Sequence, residues 1–235
     1  MSVTESLNTK RLKPRDLRVL AFIARYRLAT VEALRCGVLS ELSSNAVAKV
    51  ANRLCALGCL RKFTLLHPTR YFVLGEAGTK TLGLRLDRTY PLGPQSLPTE
   101  YGVLLYCSHG HPQRQRLTAS ELRERWPWLP AVLATAPHAF DESLQTLELL
   151  RIDLGGPADH VARKCASDID SRRQLPEFKS LLDSGQFRLV FITATKEKSN
   201  AIKQALDRHS WPAGLRVHAS VVPQLIHFTA RGQHA

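Results

Sequence analysis

The chain has little of what a membrane or secreted protein needs. No apolar run in its 235 residues approaches the roughly 18 consecutive apolar positions of a bilayer-crossing helix, so a globular fold with an ordinary core is expected. The opening residues, MSVTESLNTK, are polar and carry no apolar stretch of a secretory signal, from which a cytoplasmic, nucleoid-associated location is expected. Cysteines are few: Cys36, Cys55, Cys59, Cys107 and Cys165 are odd in number and unevenly spaced, as reduced thiols are and a disulfide framework is not. Signatures of common enzymes are missing too. There is no Walker phosphate loop, no GxGxxG after a strand and no GxSxG elbow, and the LGGP at residues 154–157 lacks a Lys or hydroxyl residue at phosphate-loop spacing, so a turn explains it.

Acidic residues are also in short supply, and unevenly. The formal net charge is +13, and residues 1–90 hold 16 Lys or Arg against 6 Asp or Glu while residues 91–235 hold 17 against 14. A polyanion is the natural partner for such a first part, because each neutralised phosphate releases condensed counterions. Charge alone leaves a merely solubilising basic face open. The length accommodates two domains of about 100 to 150 residues, each able to bury a core.

In that basic part, LKPRDLRVLAFIARYR sets Pro14 near a helix start and Leu17, Leu20, Ala21, Ile23 and Ala24 at helical spacing. Thr30 caps a short second helix, TVEALRCG, with Val31 and Leu34 toward the core and Gly37 suited to end it. Ser43 or Ser44 caps a third, NAVAKVANRLCALG, where Val47, Val50, Leu54 and Leu57 repeat at spacings of three and four before Gly58. CLRKFTLL, HPT and RYFVLG then read as two strands about a Pro-containing turn, with Arg61, Lys62, His67 and Arg70 on or beside the hairpin. Helix, helix, helix and basic hairpin make a winged helix-turn-helix over residues 12–85, the third helix fitting the major groove and the wing a phosphate strand or the minor groove.

Outside the apolar stripe of the third helix lie Ser43, Ser44, Asn45, Lys49, Asn52 and Arg53. Asn pairs in bidentate fashion with adenine and Arg with guanine, while Ser and Lys more often hold the backbone and set register. Any one of them alone reads equally well as a solvated helix residue. Cys55 and Cys59, four apart, have no matching ligand pair nearby and read as small core residues.

Pro91, Pro94 and Pro98 mark a linker over residues 86–98, followed by an α/β domain over residues 99–230. TEYGVLLYC suits a short helix or a buried strand, and TASELRERW a helix with a capping box from Thr118 to Glu121. Cys107, His109 and His111 sit close together, but Gly110 and Pro112 indicate a loop and there is no fourth ligand, so no metal is expected. PHAFDESLQTLELLRID reads as strand, tight turn, strand. HVARKCASDIDSRR and PEFKSLLDSG follow as helices, FRLVFITAT as a buried strand, KSNAIKQALDRH as a helix and GLRVHASVV as a last strand. The class is therefore α+β.

The stretches KPRDLRVLAFIARYRLATVEAL, NRLCALGCLRKF, GEAGTKTLG, PHAF, LLRIDLGG, ARK and FRLVFITAT together resemble the replication-relaxation family, proteins tied to plasmids and integrative conjugative elements. The resemblance implies a winged helix-turn-helix ahead of a domain related to the PD-(D/E)XK nucleases, here in degenerate form. That nuclease pattern needs an acidic residue after a Pro, then an acidic residue and a Lys on the next strand, because the carboxylates hold a water-activating divalent metal. In this chain Pro137 is followed by His138, and Arg151 precedes Ile152 and Asp153 where a Glu-x-Asp pattern would begin. Two ligand positions are thereby lost, and a cation at Arg151 repels Mg²⁺.

The expectation is thus a sequence-specific binder of double-stranded DNA that regulates transcription of a mobile element or assists its replication or transfer. It would act as a homodimer built on FRLVFITAT and SVVPQLIHF, with no cofactor and no small-molecule ligand. A second possibility is a metal-dependent nicking enzyme using Asp141, Glu148 and Asp153 in a shifted register; a third is an adaptor whose α/β half recruits another protein.

Overall fold

The computed structural model describes residues 12–109 and 113–229. The chain is 50% helical and 19% strand, which places it in the mixed α+β class. It divides into two compact units after Leu104. Among the described residues no helix is long and apolar enough to cross a membrane.

The first unit runs α1 (Pro14–Tyr26), α2 (Val31–Gly37), α3 (Ser44–Ala56), β1 (Leu60–Leu66), β2 (Thr69–Leu74) and α4 (Glu76–Thr81), then a 3₁₀ turn at Leu86–Thr89. Caps set the helix starts. Thr30 Oγ1 accepts from Ala33 N at 3.2 Å, and Ser43 Oγ accepts from Ala46 N at 3.3 Å, so each satisfies an amide that a first turn otherwise leaves unpaired. Val19, Leu20 and Ile23 of α1, Leu34 of α2, and Val47, Val50 and Leu54 of α3 meet Leu60, Phe72 and Leu74 of the hairpin in one core. Leu17, expected on the apolar stripe of α1, is instead 43% exposed, because the buried face of that helix is centred on Val19 and Ile23.

Gly37 also departs from expectation: it remains helical, and Val38 forms the cap. Its lack of a side chain serves packing, since a Cβ there would sit 2.6 Å from the Phe22 ring. Gly58, by contrast, ends α3 in the left-handed region at φ 67°, as its position suggested. The antiparallel hairpin β1–β2 pairs Leu60 with Leu74 and Lys62 with Phe72, and Ala29 exchanges both backbone hydrogen bonds with Phe72, tying the loop before α2 to β2.

The Pro-rich stretch is more ordered than a linker. It begins with the 3₁₀ turn and ends inside α5 (Ser96–Ser108), where Pro98 occupies the first turn, a position that needs no amide hydrogen. The division between the units therefore falls within α5. TEYGVLLYC resolves to helix, and Tyr101 to Cys107 are all buried, as a helix apolar on every side requires.

The second unit continues with β3 (Arg114–Arg116), α6 (Ala119–Arg125), β4 (His138–Asp141), β5 (Thr146–Ile152), α7 (Ala158–Arg173), α8 (Pro176–Asp183), β6 (Phe187–Thr193), α9 (Lys196–Leu206) and β7 (Arg216–Val221). One sheet has the order β3-β4-β5-β6-β7, antiparallel through β5 and parallel from β5 to β7. Each parallel step, from β5 to β6 and from β6 to β7, is bridged by helix, as such crossovers demand. One sheet face carries Leu147, Leu149, Phe187, Leu189 and Phe191 against Ala162, Cys165 and Ile169 of α7, Phe178 and Leu182 of α8, and Ile202 and Leu206 of α9. β6 lies between β5 and β7 and its side chains are almost wholly buried, so FRLVFITAT offers no surface to a second copy, contrary to the dimer expectation placed on it.

Candidate nucleic-acid interface

The apolar stripe of α3 faces inward and leaves a polar face outward. Ser43, Ser44, Asn45, Lys49 and Asn52 are all exposed, and Arg53 is half-buried. Beside this face stands β1, where Lys62 Nζ donates to Asn52 Oδ1 at 3.3 Å, so the helix and the hairpin share a hydrogen bond at their open surface. Arg70 on β2 donates to Thr64 Oγ1 across the hairpin, and His67 is exposed at the turn, preceding Pro68 through a cis peptide bond. Lys49, Lys62, His67 and Arg70 are thus exposed on the helix and ribbon that the sequence singled out.

Two of the expected DNA contacts are otherwise engaged. Arg53 is ion-paired through Nη2 with Asp16, whose carboxylate is fully buried at the start of α1, so its guanidinium also serves the fold. Arg61 donates through Nη1 to Thr89 O at 3.0 Å and lies 5.3 Å from the centre of the Phe63 ring, which ties it to the 3₁₀ turn. Asp16 does not stand out in the sequence, for a simple reason: a first-turn Asp is a common helix-start residue, and nothing local signals a partner on α3. Burial alone would raise its pKa, but the Arg53 hydrogen bond, the Lys13 amide at 2.8 Å and the charges of Arg53 and Arg15 bring it below the usual carboxylate value.

The three carboxylates of the nuclease alternative are not gathered at one point. Asp141 accepts from Ser143 N at 3.1 Å, from the Ser143 hydroxyl and from Leu144 N, and faces Arg114 Nη2 at 3.2 Å. Glu148 is fully buried, with the Tyr106 hydroxyl at 3.0 Å, Arg114 Nε at 3.0 Å and Arg188 Nη1 at 3.2 Å. Asp153 lies just past the end of β5, five residues beyond Glu148 and roughly 17 Å away at strand rise, and accepts from Gly155 N at 3.0 Å. Asp141 and Glu148 are joined by a guanidinium where the alternative requires a metal. Glu148 and Asp153 are both pushed up by burial, Glu148 against the charge of Arg114 and Asp153 against the Gly155 amide and Lys198.

The positions where the nuclease pattern lapses form a separate buried cluster on the other sheet face. His138 is fully buried with its Nδ1 2.8 Å from Ala136 O and no partner for Nε2 among the described residues. Burial, reinforced by the charge of Arg172, lowers its pKa to about 3, so the ring is neutral. Arg151 is ion-paired with Asp168 of α7, and Arg172 donates to Asp168 O at 2.7 Å and Leu133 O at 3.0 Å. Cys165 beside them is pushed up to about 12 by burial, which keeps it a thiol.

Among the remaining candidates, Cys59 packs in the core of the first unit with Cys55 against it, and Cys107 is buried in α5. His109 follows α5 with Nδ1 3.0 Å from the Ser108 hydroxyl, while Gly110, His111 and Pro112 lie outside the described residues. No protein-family model matches the chain, and neither a curated protein nor a solved structure matches it.

Proposed function

We propose that this chain binds double-stranded DNA in a sequence-specific manner through a winged helix-turn-helix formed by α1 to α3 and the β1–β2 hairpin. The single observation that carries the proposal is the shared open surface of α3 and β1: a capped helix with Ser44, Asn45, Lys49 and Asn52 exposed, bonded at Asn52 to Lys62 of a basic ribbon. A helix about 10 to 12 Å across fits the major groove, and a ribbon beside it reaches the phosphates. Asn45 and Asn52 are the base-reading groups; Ser43, Ser44, Lys49, Lys62, His67 and Arg70 hold the backbone. Arg53 and Arg61 orient the helix and the ribbon through Asp16 and Thr89.

Its biological role, in line with the resemblance to the replication-relaxation family, is to regulate a mobile element's transcription or to assist its replication or transfer. The second unit is taken as a degenerate nuclease-like domain without metal chemistry. What supports this is the occupation of Asp141 and Glu148 by Arg114 and Arg188, and of the lapsed motif positions by His138 and the Arg151–Asp168 pair.

The test is recovery and sequencing of genomic fragments retained by the purified protein, followed by anisotropy titrations on the enriched site and on random duplex. A single enriched motif bound at least tenfold more tightly than random DNA is the expected result. Equal affinity for both, or supercoiled plasmid nicked with Mg²⁺ by the protein and not by Asp153→Ala, rejects the proposal. A homodimer on a palindromic site is expected, read by sedimentation of the complex.

A further inference from the structure

The second unit contains a polar cavity of about 290 Å³, bordered by Arg114, Tyr106, His109, His218 and Ser220. It lies on the sheet face opposite the helical core: the registers Arg114 with Asp141, Glu148 with Arg188, Val190 with His218 and Ile192 with Ser220 place all these side chains on one side. Its size is near the lower bound of ligand pockets, which run from about 300 to 1,000 Å³, so it suits a metabolite-sized molecule and not a polymer.

The chemistry of the wall is one-sided. It presents the Arg114 guanidinium, two imidazoles, the hydroxyl-bearing side chains of Tyr106 and Ser220 and the Gln224 amide, and among the described residues no carboxylate borders the space. Arg114 is only 5% exposed and is held in place three ways: Nη2 faces Asp141, Nε faces Glu148, and the group lies 4.2 Å from the centre of the Tyr106 ring. Among the described residues its Nη1 has no hydrogen-bond partner. A buried guanidinium fixed on one edge and open on the other is pre-organised for an oxyanion, whose planar or tetrahedral oxygens it can grip in pairs. Because Asp141, Glu148 and Arg188 already balance Arg114, a singly charged ligand fits the local charge better than a multiply charged one. Leu105, Val222 and Pro223 supply apolar wall for the rest of the molecule.

We propose that this cavity is a binding site for a small oxyanion with an apolar body, its charged head on Arg114 and flanked by His109 and His218. Its two imidazoles are built-in reporters.

The experiment titrates the full chain with benzoate and, separately, with inorganic phosphate, following the imidazole carbon-bound proton resonances assigned through His109→Gln and His218→Gln. The expected result is saturable shifts of both imidazoles with at least one probe, benzoate alone marking a carboxylate head and phosphate alone a phosphate head. Ser220→Phe, which fills the cavity without touching the Arg114 ion pairs, is expected to weaken that binding at least tenfold while keeping the melting temperature. If Ser220→Phe does not fold, His218→Leu replaces it as the blocking variant. Absence of saturation with both probes, or saturation unchanged by the blocking variant, overturns the proposal.

Discussion

Asp16 and Arg53 face each other across the first unit, a fully buried carboxylate on α1 holding the guanidinium of α3. The ion pair links the supporting helix to the helix proposed to read DNA.

Replacing Arg53 with Ala leaves the Asp16 carboxylate buried with one strong partner fewer. The expected cost is about 1 to 3 kcal/mol at neutral pH, measured by urea unfolding. In the native protein Asp16 titrates below its ordinary value of 3.8, so its contribution is present above that value and is lost as pH falls through the folded one. In the variant the Arg53 hydrogen bond and charge are removed while the burial remains, so the folded pKa is expected to move up and the charged form to be less favoured at neutral pH. The gap between the two proteins is therefore widest near pH 7 and closes in acid; a gap independent of pH would contradict the pairing.

Base reading and phosphate holding separate by substitution. Asn52→Ala is expected to cost about 1 to 3 kcal/mol on the enriched site, concentrated at one base position and nearly absent on random DNA. Arg70→Ala is expected to weaken both DNAs alike and to reduce the salt slope by about one. Anisotropy titrations at several salt concentrations distinguish the patterns.

Gly78 is a backbone contact point and not a loose joint. A Cβ there would lie 2.2 Å from Cys59 O, a backbone atom with no freedom to swing aside. Gly78→Ala should lower stability by about 1 to 3 kcal/mol through forced displacement of α4 from the start of β1. Gly93→Ala, where an added Cβ meets nothing within 4 Å, is the matched control and should change stability little.

His138 gives the second unit an acid sensitivity. Its folded pKa of about 3 is depressed from the ordinary 6.5, so the stabilising neutral form is complete above 6.5 and is lost as pH falls toward 3. Each pH unit in that window should remove at most about 1.4 kcal/mol from this one proton. Unfolding of His138→Leu over the same range should show a flatter profile; equal slopes would place the acid sensitivity elsewhere.

Much of the first unit was legible because its signals are local. Thr30 and Ser43 cap helices where their hydroxyls are followed by apolar periodicity, Gly58 closes α3, and the two β-branched and aromatic runs flanking His67 and Pro68 pair as strands. Strands β4 to β7 were equally visible as apolar runs between helical stretches. What escaped was long-range. Arg53 reads from the sequence as a base contact because nothing near it announces Asp16, 37 residues away. β3, with the polar sequence RQR, forms only because β4 offers it an edge. The nuclease alternative meets the same obstacle, since strand positions for Asp141 and Glu148 do not disclose that Arg114 fills the space between them.

The hydrogen bond from Lys62 to Asn52 also decides which way an amide points. An ammonium can only donate, so Oδ1 must face the ribbon, which turns the Nδ2 edge of Asn52 away from it before any ligand arrives. On the proposed reading of DNA, Asn52 would offer a base edge its Nδ2 donor without the amide first having to rotate.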